Sequence, residues 1–435
     1  MQTLKQFLNS VYSSITKRSD SYLEIALSLA SAEYVDSVVA LSESALYRRR
    51  FSSIYETFKQ VEVNEEQWLK ATLELLCERC DKLDGYEVYS GDSTFVKRNE
   101  ARTLAARAMK RLSTGELVCG HESYWSMRLA QQETSWSGVV LAERMDEGDT
   151  VTTKAAQHLK LIDASGTTCK LFVLDAGHGK EVLTGYRECQ TTDIIMRLKS
   201  NQVFRHPPGD YRGRGRPPKH GERFKLGKEV GEPNEQKTIA FKGKQLRIST
   251  WRNLHYTKYG DIHGVILRLE FLDEARKPIF EKPIWLFSTA LEAESETLAR
   301  AYLWRSSHEL SFRFMKQHLG LTKAHSPELK SCDAWYRLVA LAMNLLLAVK
   351  DQLQSQIPPW YPHAATKSIS QRQAQKQALN FFLKVDTPSS APRPAGKAPG
   401  RAKGYNPSPR QRHPVTRKTP KRSKPCPSCP FKAAA

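Results

Sequence analysis

The chain has 435 residues, 40% of them hydrophobic, with 67 Lys and Arg against 46 Asp and Glu and a formal charge of +21. That length provides for two or three domains with real cores, and a balance so basic calls for a polyanionic partner, nucleic acid first and an anionic membrane surface as the competitor. No apolar run approaches the roughly 20 residues that span a bilayer; the longest, Leu338 to Val349, is broken by Asn344, and Met1 to Leu8 lacks a signal-peptide core, so the expectation is a cytoplasmic protein with no membrane role.

Residues 1 to 80 contain no Pro or Gly and read as a helical N-terminal domain. Within it, Tyr34 to Phe51 has the pattern of a helix-turn-helix, with Ser42 or Ser44 as N-cap and Arg48, Arg49 and Arg50 at the end of the second helix, where they would meet DNA. The alternative is a helical bundle whose basic helix end complements its dipole. Eight scattered cysteines, including the pairs Cys77/Cys80 and Cys426/Cys429, fit reduced thiols better than a disulfide framework.

Residues 81 to 193 change to a mixed pattern. Tyr86 to Phe95 alternates like a strand and delivers Asp92 near its end, and Thr168 to Leu174 is an apolar, β-prone run that stops at Asp175 before a glycine turn. A carboxylate at a strand end beside such a turn is a common active-site placement in open sheets, and also a common turn residue. Residues 194 to 290 read as a β-rich insertion with a basic surface: strands around Ile194 to Phe204, Lys237 to Phe241, Gln245 to Trp251, Gly264 to Phe271 and Pro283 to Thr289, and an Arg, Gly and Pro loop holding Arg214 and Arg216. Those two arginines suit a minor groove or a clamp on phosphates.

In residues 291 to 385 the stretch Ala301 to Lys316 reads as one helix. At about 100° per residue, Tyr302, Arg305, Glu309, Arg313 and Lys316 share one narrow face, with an apolar stripe of Leu303, Leu310, Phe314 and Leu321 a quarter turn away. One carboxylate among several cations suits a site where metal ions and phosphates gather; a solvated, salt-bridged face is the other reading. Tyr336 to Leu353 is an apolar core helix, and residues 386 to 435, with one acid and frequent Lys, Arg and Pro, read as a disordered polycationic tail attracted to phosphates.

The spacing Tyr-x2-Arg-x3-Glu-x6-Lys at Tyr302, Arg305, Glu309 and Lys316 resembles the signature of one large group of bacterial insertion-sequence transposases of the DDE type. Gly91-Asp-Ser-Thr94, Leu171 to Asp175, Arg214 to Gly221 and Phe312 to Leu321 are similar to that group as well. The chain departs from it in the polar Ser306-Ser-His308 before Glu309 and in Ala176-Gly-His178 after Asp175. The resemblance implies an α/β protein with an RNase H-like catalytic core interrupted by the β-rich insertion. It implies that Asp92, Asp175 and Glu309 are catalytic and hold two Mg²⁺ ions, with Mn²⁺ as a substitute, while Tyr302, Arg305 and Lys316 contact double-stranded DNA at transposon ends and target. Arg313 joins that contact set on helical geometry. A homodimer in a synaptic complex and a place at the bacterial nucleoid are further expectations. Related enzymes flip a base onto an aromatic near this helix; Trp285 is the positional candidate, and a buried strand residue the simpler account. A catalytically diverged DNA-binding protein and another RNase H-like nuclease, such as a junction resolvase, are the competing readings.

Overall fold

Period-two runs in which both alternating sets are apolar demand a sheet covered on both faces, and the chain builds one. The computed structural model describes residues 2–416 except 113, 133, 211–212, 214–215, 228–229, 355–367, 393, 395–399 and 401. Five strands carry the centre: β3 (Glu87–Lys97), β5 (Leu117–Leu129), β6 (Ser137–Arg144), β7 (Lys170–Leu174) and β8 (Thr192–Leu198). They lie in the order β6, β5, β3, β7, β8; β3 pairs antiparallel with β5 but parallel with β7, and β7 is parallel to β8. Leu171, Val173 and Ile195 face one core while Phe172, Leu174, Ile194 and Met196 face the other. Helix α5 (Val151–Asp163), opened by a Thr150–Thr153 capping box, connects β6 to β7. The short α6 (Leu183–Tyr186) connects β7 to β8.

The β-rich stretch extends this same sheet. From β8 the order continues through β14 (Ile284–Ser288), β13 (Tyr259–Leu272), β12 (Lys244–Tyr256), β9 (Val203–Arg205) and β10 (Arg223–Lys225), with β11 (Glu235–Phe241) also on β12. At the other end β4 (Ala108–Arg111) pairs with β5. Among the described residues twelve strands share this sheet. The expected boundary at residue 194 therefore falls inside β8, a strand of the parallel centre. Trp285 is buried on β14, its ring 5.6 Å from that of Trp251, which is the strand-residue account.

The N-terminal part is mainly helical, with a small ribbon, β1 (Ile15–Lys17) with β2 (Glu62–Val63), and an irregular stretch over 32–50. Its helices α1 (Gln2–Ser14), α2 (Ser19–Ser31), α3 (Phe51–Gln60) and α4 (Glu65–Arg79) pack on α9 (Leu329–Gln354), and the Tyr22 hydroxyl donates to the Ala334 carbonyl at 2.8 Å. The helix-turn-helix expected over Tyr34 to Phe51 does not form: the segment holds a single 3₁₀ turn, Val39–Glu43, and then turns into α3. Arg48 and Arg49 instead pair with the buried Glu24 at 2.7 and 3.3 Å, and Arg49 also meets Asp20. A carboxylate buried in α2 needs such partners, and it holds both arginines, Arg49 mostly covered and Arg48 still exposed. Arg50 precedes α3 as its N-cap residue.

Helix α9 is long and apolar enough to cross a membrane by length and composition, more so than the sequence suggests, but 89% of its most apolar window is buried inside the protein. The residue that interrupts it, Asn344, has a structural task. Its side chain accepts from the Val139 amide and donates to the Val139 carbonyl, both at 2.8 Å, and so supplies the pairing that the outer edge of β6 lacks. The expected disordered tail is also partly anchored after α10 (Gln371–Phe382). Asp386 pairs with Lys5, the Ser390 amide donates to Asp20, and Thr416 bridges to Ala108 beside β4. Residues 417–435 lie outside the described residues.

Candidate active site

One strand register puts the first two carboxylates side by side. Gly91 on β3 lies opposite Leu174 on β7, so the next residue on each parallel strand is Asp92 and Asp175. Asp175 follows the last residue of β7, as its sequence position suggests. Asp92, in contrast, is mid-strand rather than near the end of β3, because β3 continues against β5 from Asp92 opposite Trp125 to Lys97 opposite Gly120. The glycine before it is required: a Cβ at Gly91 would lie 2.1 Å from the Tyr124 hydroxyl and 2.8 Å from the Phe172 ring.

The third carboxylate arrives from the far end of the chain. The single helix expected from Ala301 to Lys316 is two, α7 (Ser295–Trp304) and α8 (Ser306–Gln317), with Arg305 between them. The break uses three-residue spacing, Arg305 amide to Tyr302 carbonyl and His308 amide to Arg305 carbonyl. Two flanking side chains bond away from the helix at this point: Trp304 Nε1 donates to the Gln131 carbonyl at 3.0 Å and Ser307 Oγ to that of Thr134 at 2.7 Å. The predicted apolar stripe shifts accordingly. Phe314 and Leu321 are buried, but Leu310 is 38% exposed, and Ser307, His308 and Ser311 are buried in its place.

Arg305 gathers the site. Its guanidinium lies 2.6 Å from Glu309, 3.4 Å from Asp92 and 4.0 Å from Asp175, so all three expected acids surround one cation. Burial pushes the Asp92 carboxyl up, and the charges of Asp175 and Glu309 add to this. Arg305 and the Ser93 amide, which donates to Asp92 Oδ1 at 2.7 Å, act against it. Arg305 itself is held further in its charged form by the acids and Tyr302, against the effect of burial. Tyr302 is buried and its phenol is pushed up by that burial. Lys316 is half-buried, its ammonium pulled down by burial and by Lys110, with Asp92 opposing. Arg313 is exposed, as is Arg216; Arg214 lies outside the described residues.

The two departures from the expected pattern have partners here. His308 is fully buried with Nδ1 2.7 Å from Ser90 Oγ, and His178 sits with Nε2 3.0 Å from the Tyr124 hydroxyl and Nδ1 3.1 Å from the Asp175 carbonyl. Burial lowers the His178 imidazole to about 4 and that of His308 to about 3, so both are neutral supports behind the carboxylates. In the sequence both histidines stand out only as departures from the group's pattern. Nothing local marks Arg197, on β8, whose guanidinium is 3.9 Å from Asp175, or Tyr124, which have no motif and are brought in by strand register alone.

Chemically, the three acids supply hard oxygen donors of the kind that divalent cations such as Mg²⁺ take. Asp175 Oδ1 is buried without a hydrogen-bond partner, which leaves a donor oxygen unspent. As they stand, with Arg305 between them, no three acidic, imidazole or thiol groups among the described residues form a ready metal cage. A family model described as DDE superfamily endonuclease matches residues 10–258, more than half of the chain, spanning Asp92 and Asp175 and ending before Glu309. No curated protein matches.

Proposed function

The chain belongs to the DDE superfamily of endonucleases, and from that premise we propose that it is a transposase that binds the ends of an insertion sequence and carries out Mg²⁺-dependent strand cleavage and strand transfer. One observation carries the proposal: acids from two neighbouring strands and one distant helix meet around a single guanidinium. Breaking and joining phosphodiesters is in-line displacement at phosphorus, for which a pair of bound divalent cations activates the attacking oxygen and stabilises the leaving one. Asp92, Asp175 and Glu309 would hold those ions. Arg305 and Lys316 would grip phosphates beside the scissile bond, Arg305 through a planar fork and Lys316 as a point charge. Arg216 and Arg313, both exposed, would add contacts along the duplex. A homodimer at paired ends, acting in the cytoplasm on the nucleoid, completes the reading.

The test uses a duplex carrying the element's terminal sequence, taken from inverted repeats flanking the gene. Wild-type protein with Mg²⁺ should nick at the element end and join the exposed 3′-hydroxyl to a target. Asp92→Asn should bind the duplex and do neither. Nicking without any joining would point to a plain nuclease, and binding without nicking to a diverged DNA-binding protein.

A further inference from the structure

Arg305 is nearly enclosed, 9% exposed at its side chain, and its hydrogen bonds are divided between two acids. A guanidinium that serves one carboxylate engages it through two parallel N–H bonds. Here there is one short hydrogen bond, 2.6 Å to Glu309, and one long one, 3.4 Å to Asp92, while Asp175 at 4.0 Å feels only its charge. The cation thus balances the group as a whole. Three adjacent carboxylates with no cation would repel one another and draw in protons.

Three features make this arrangement exchangeable. Glu309 is 60% exposed, so the short contact is made by the acid with most room to move. Asp175 Oδ1 has no hydrogen-bond partner, with Arg197 no closer than 3.9 Å. Asp92 has a partner besides Arg305, the Ser93 amide, which donates to Oδ1 at 2.7 Å.

We infer that Arg305 serves as resident counter-ion of Asp92, Asp175 and Glu309, yields their oxygens to divalent cations, and delivers its freed charge to a DNA phosphate. The inference rests on the reading of these acids as metal ligands. Guanidinium and metal then compete for the same oxygens, and metal binding and DNA binding become coupled. A residue that merely organised the site would have the opposite signature, since its loss would weaken metal binding.

The experiment titrates Mn²⁺ calorimetrically into the full chain, Arg305→Gln, Arg305→Lys and Asp92→Asn, each first checked by thermal melting. Arg305→Gln should bind Mn²⁺ roughly tenfold more tightly than wild type, and Arg305→Lys should stay near wild type; Arg305→Met serves the same purpose as Gln should Gln disturb the melt. In a second arm, saturating Ca²⁺ should steepen the salt dependence of duplex binding by about 0.9 in the logarithmic slope for wild type, the worth of one phosphate contact, and leave that of Arg305→Gln unchanged. Equal or weaker Mn²⁺ binding by Arg305→Gln overturns the inference and leaves the acids as ligands. Mn²⁺ binding unaffected in Asp92→Asn overturns the reading beneath it.

Discussion

His308 imposes an acid limit on the part of the fold that supports the site. Burial lowers its imidazole from 6.5 to about 3, with Arg305 and His178 adding to the effect and the Ser90 contact opposing it. A group whose pKa falls on folding takes up its proton more readily in the unfolded chain. Its contribution to stability is therefore whole above the unfolded value of 6.5 and is lost as pH falls toward 3. Between pH 7 and pH 5 the difference in proton uptake comes to about 2 kcal/mol. His308→Gln retains a polar group facing Ser90 and removes the titration. Urea denaturation at the two pH values should therefore show wild type losing about 2 kcal/mol more than the variant. Equal losses in the two proteins would refute a buried, neutral His308.

Gly91→Ala should cost roughly 1–3 kcal/mol, as overpacking does, and abolish cleavage by shifting Asp92, because its Cβ would meet the Tyr124 hydroxyl at 2.1 Å; melting and nicking assays report the two effects separately. Asn344→Leu leaves the Val139 amide and carbonyl without partners at a buried edge, a loss of about 2–3 kcal/mol in chemical denaturation. Glu309→Gln should retain duplex binding in gel-shift assays while losing all Mg²⁺-dependent cleavage, and any strand transfer by that variant would remove Glu309 from the site. Truncation after residue 401 removes the segment that bridges to Ala108, so non-specific DNA binding should weaken while the melting temperature stays within a few degrees.

Much of the site was legible because the residues concerned announce themselves locally. Asp175 ends an apolar β-prone run, Glu309 sits among cations at fixed spacing, and both are where those patterns place them. What the pattern could not provide was the break at Arg305, since it depends on Trp304 and Ser307 bonding to the backbone of Gln131 and Thr134 far back in the chain. The same limit explains the lost helix-turn-helix. Three arginines look like a DNA-contacting face until Glu24, buried in a neighbouring helix, takes two of them. Asn344 shows the converse case. A polar residue in an apolar run reads as a weak point, and its meaning depends on a strand edge about which the local sequence is silent.

The continuity of the sheet has a consequence for the order in which the protein becomes competent. Asp92 and Asp175 become neighbours once β3 and β7 pair, well before the chain has reached its later strands. Leu198 must then wait for Trp285 before β8 gains its second neighbour, a long-range closure of the kind that slows folding. Arg305, between α7 and α8, and Glu309, on α8, come later still in the chain. A chain still emerging from the ribosome can thus bring Asp92 and Asp175 together before Arg305 and Glu309 have been made.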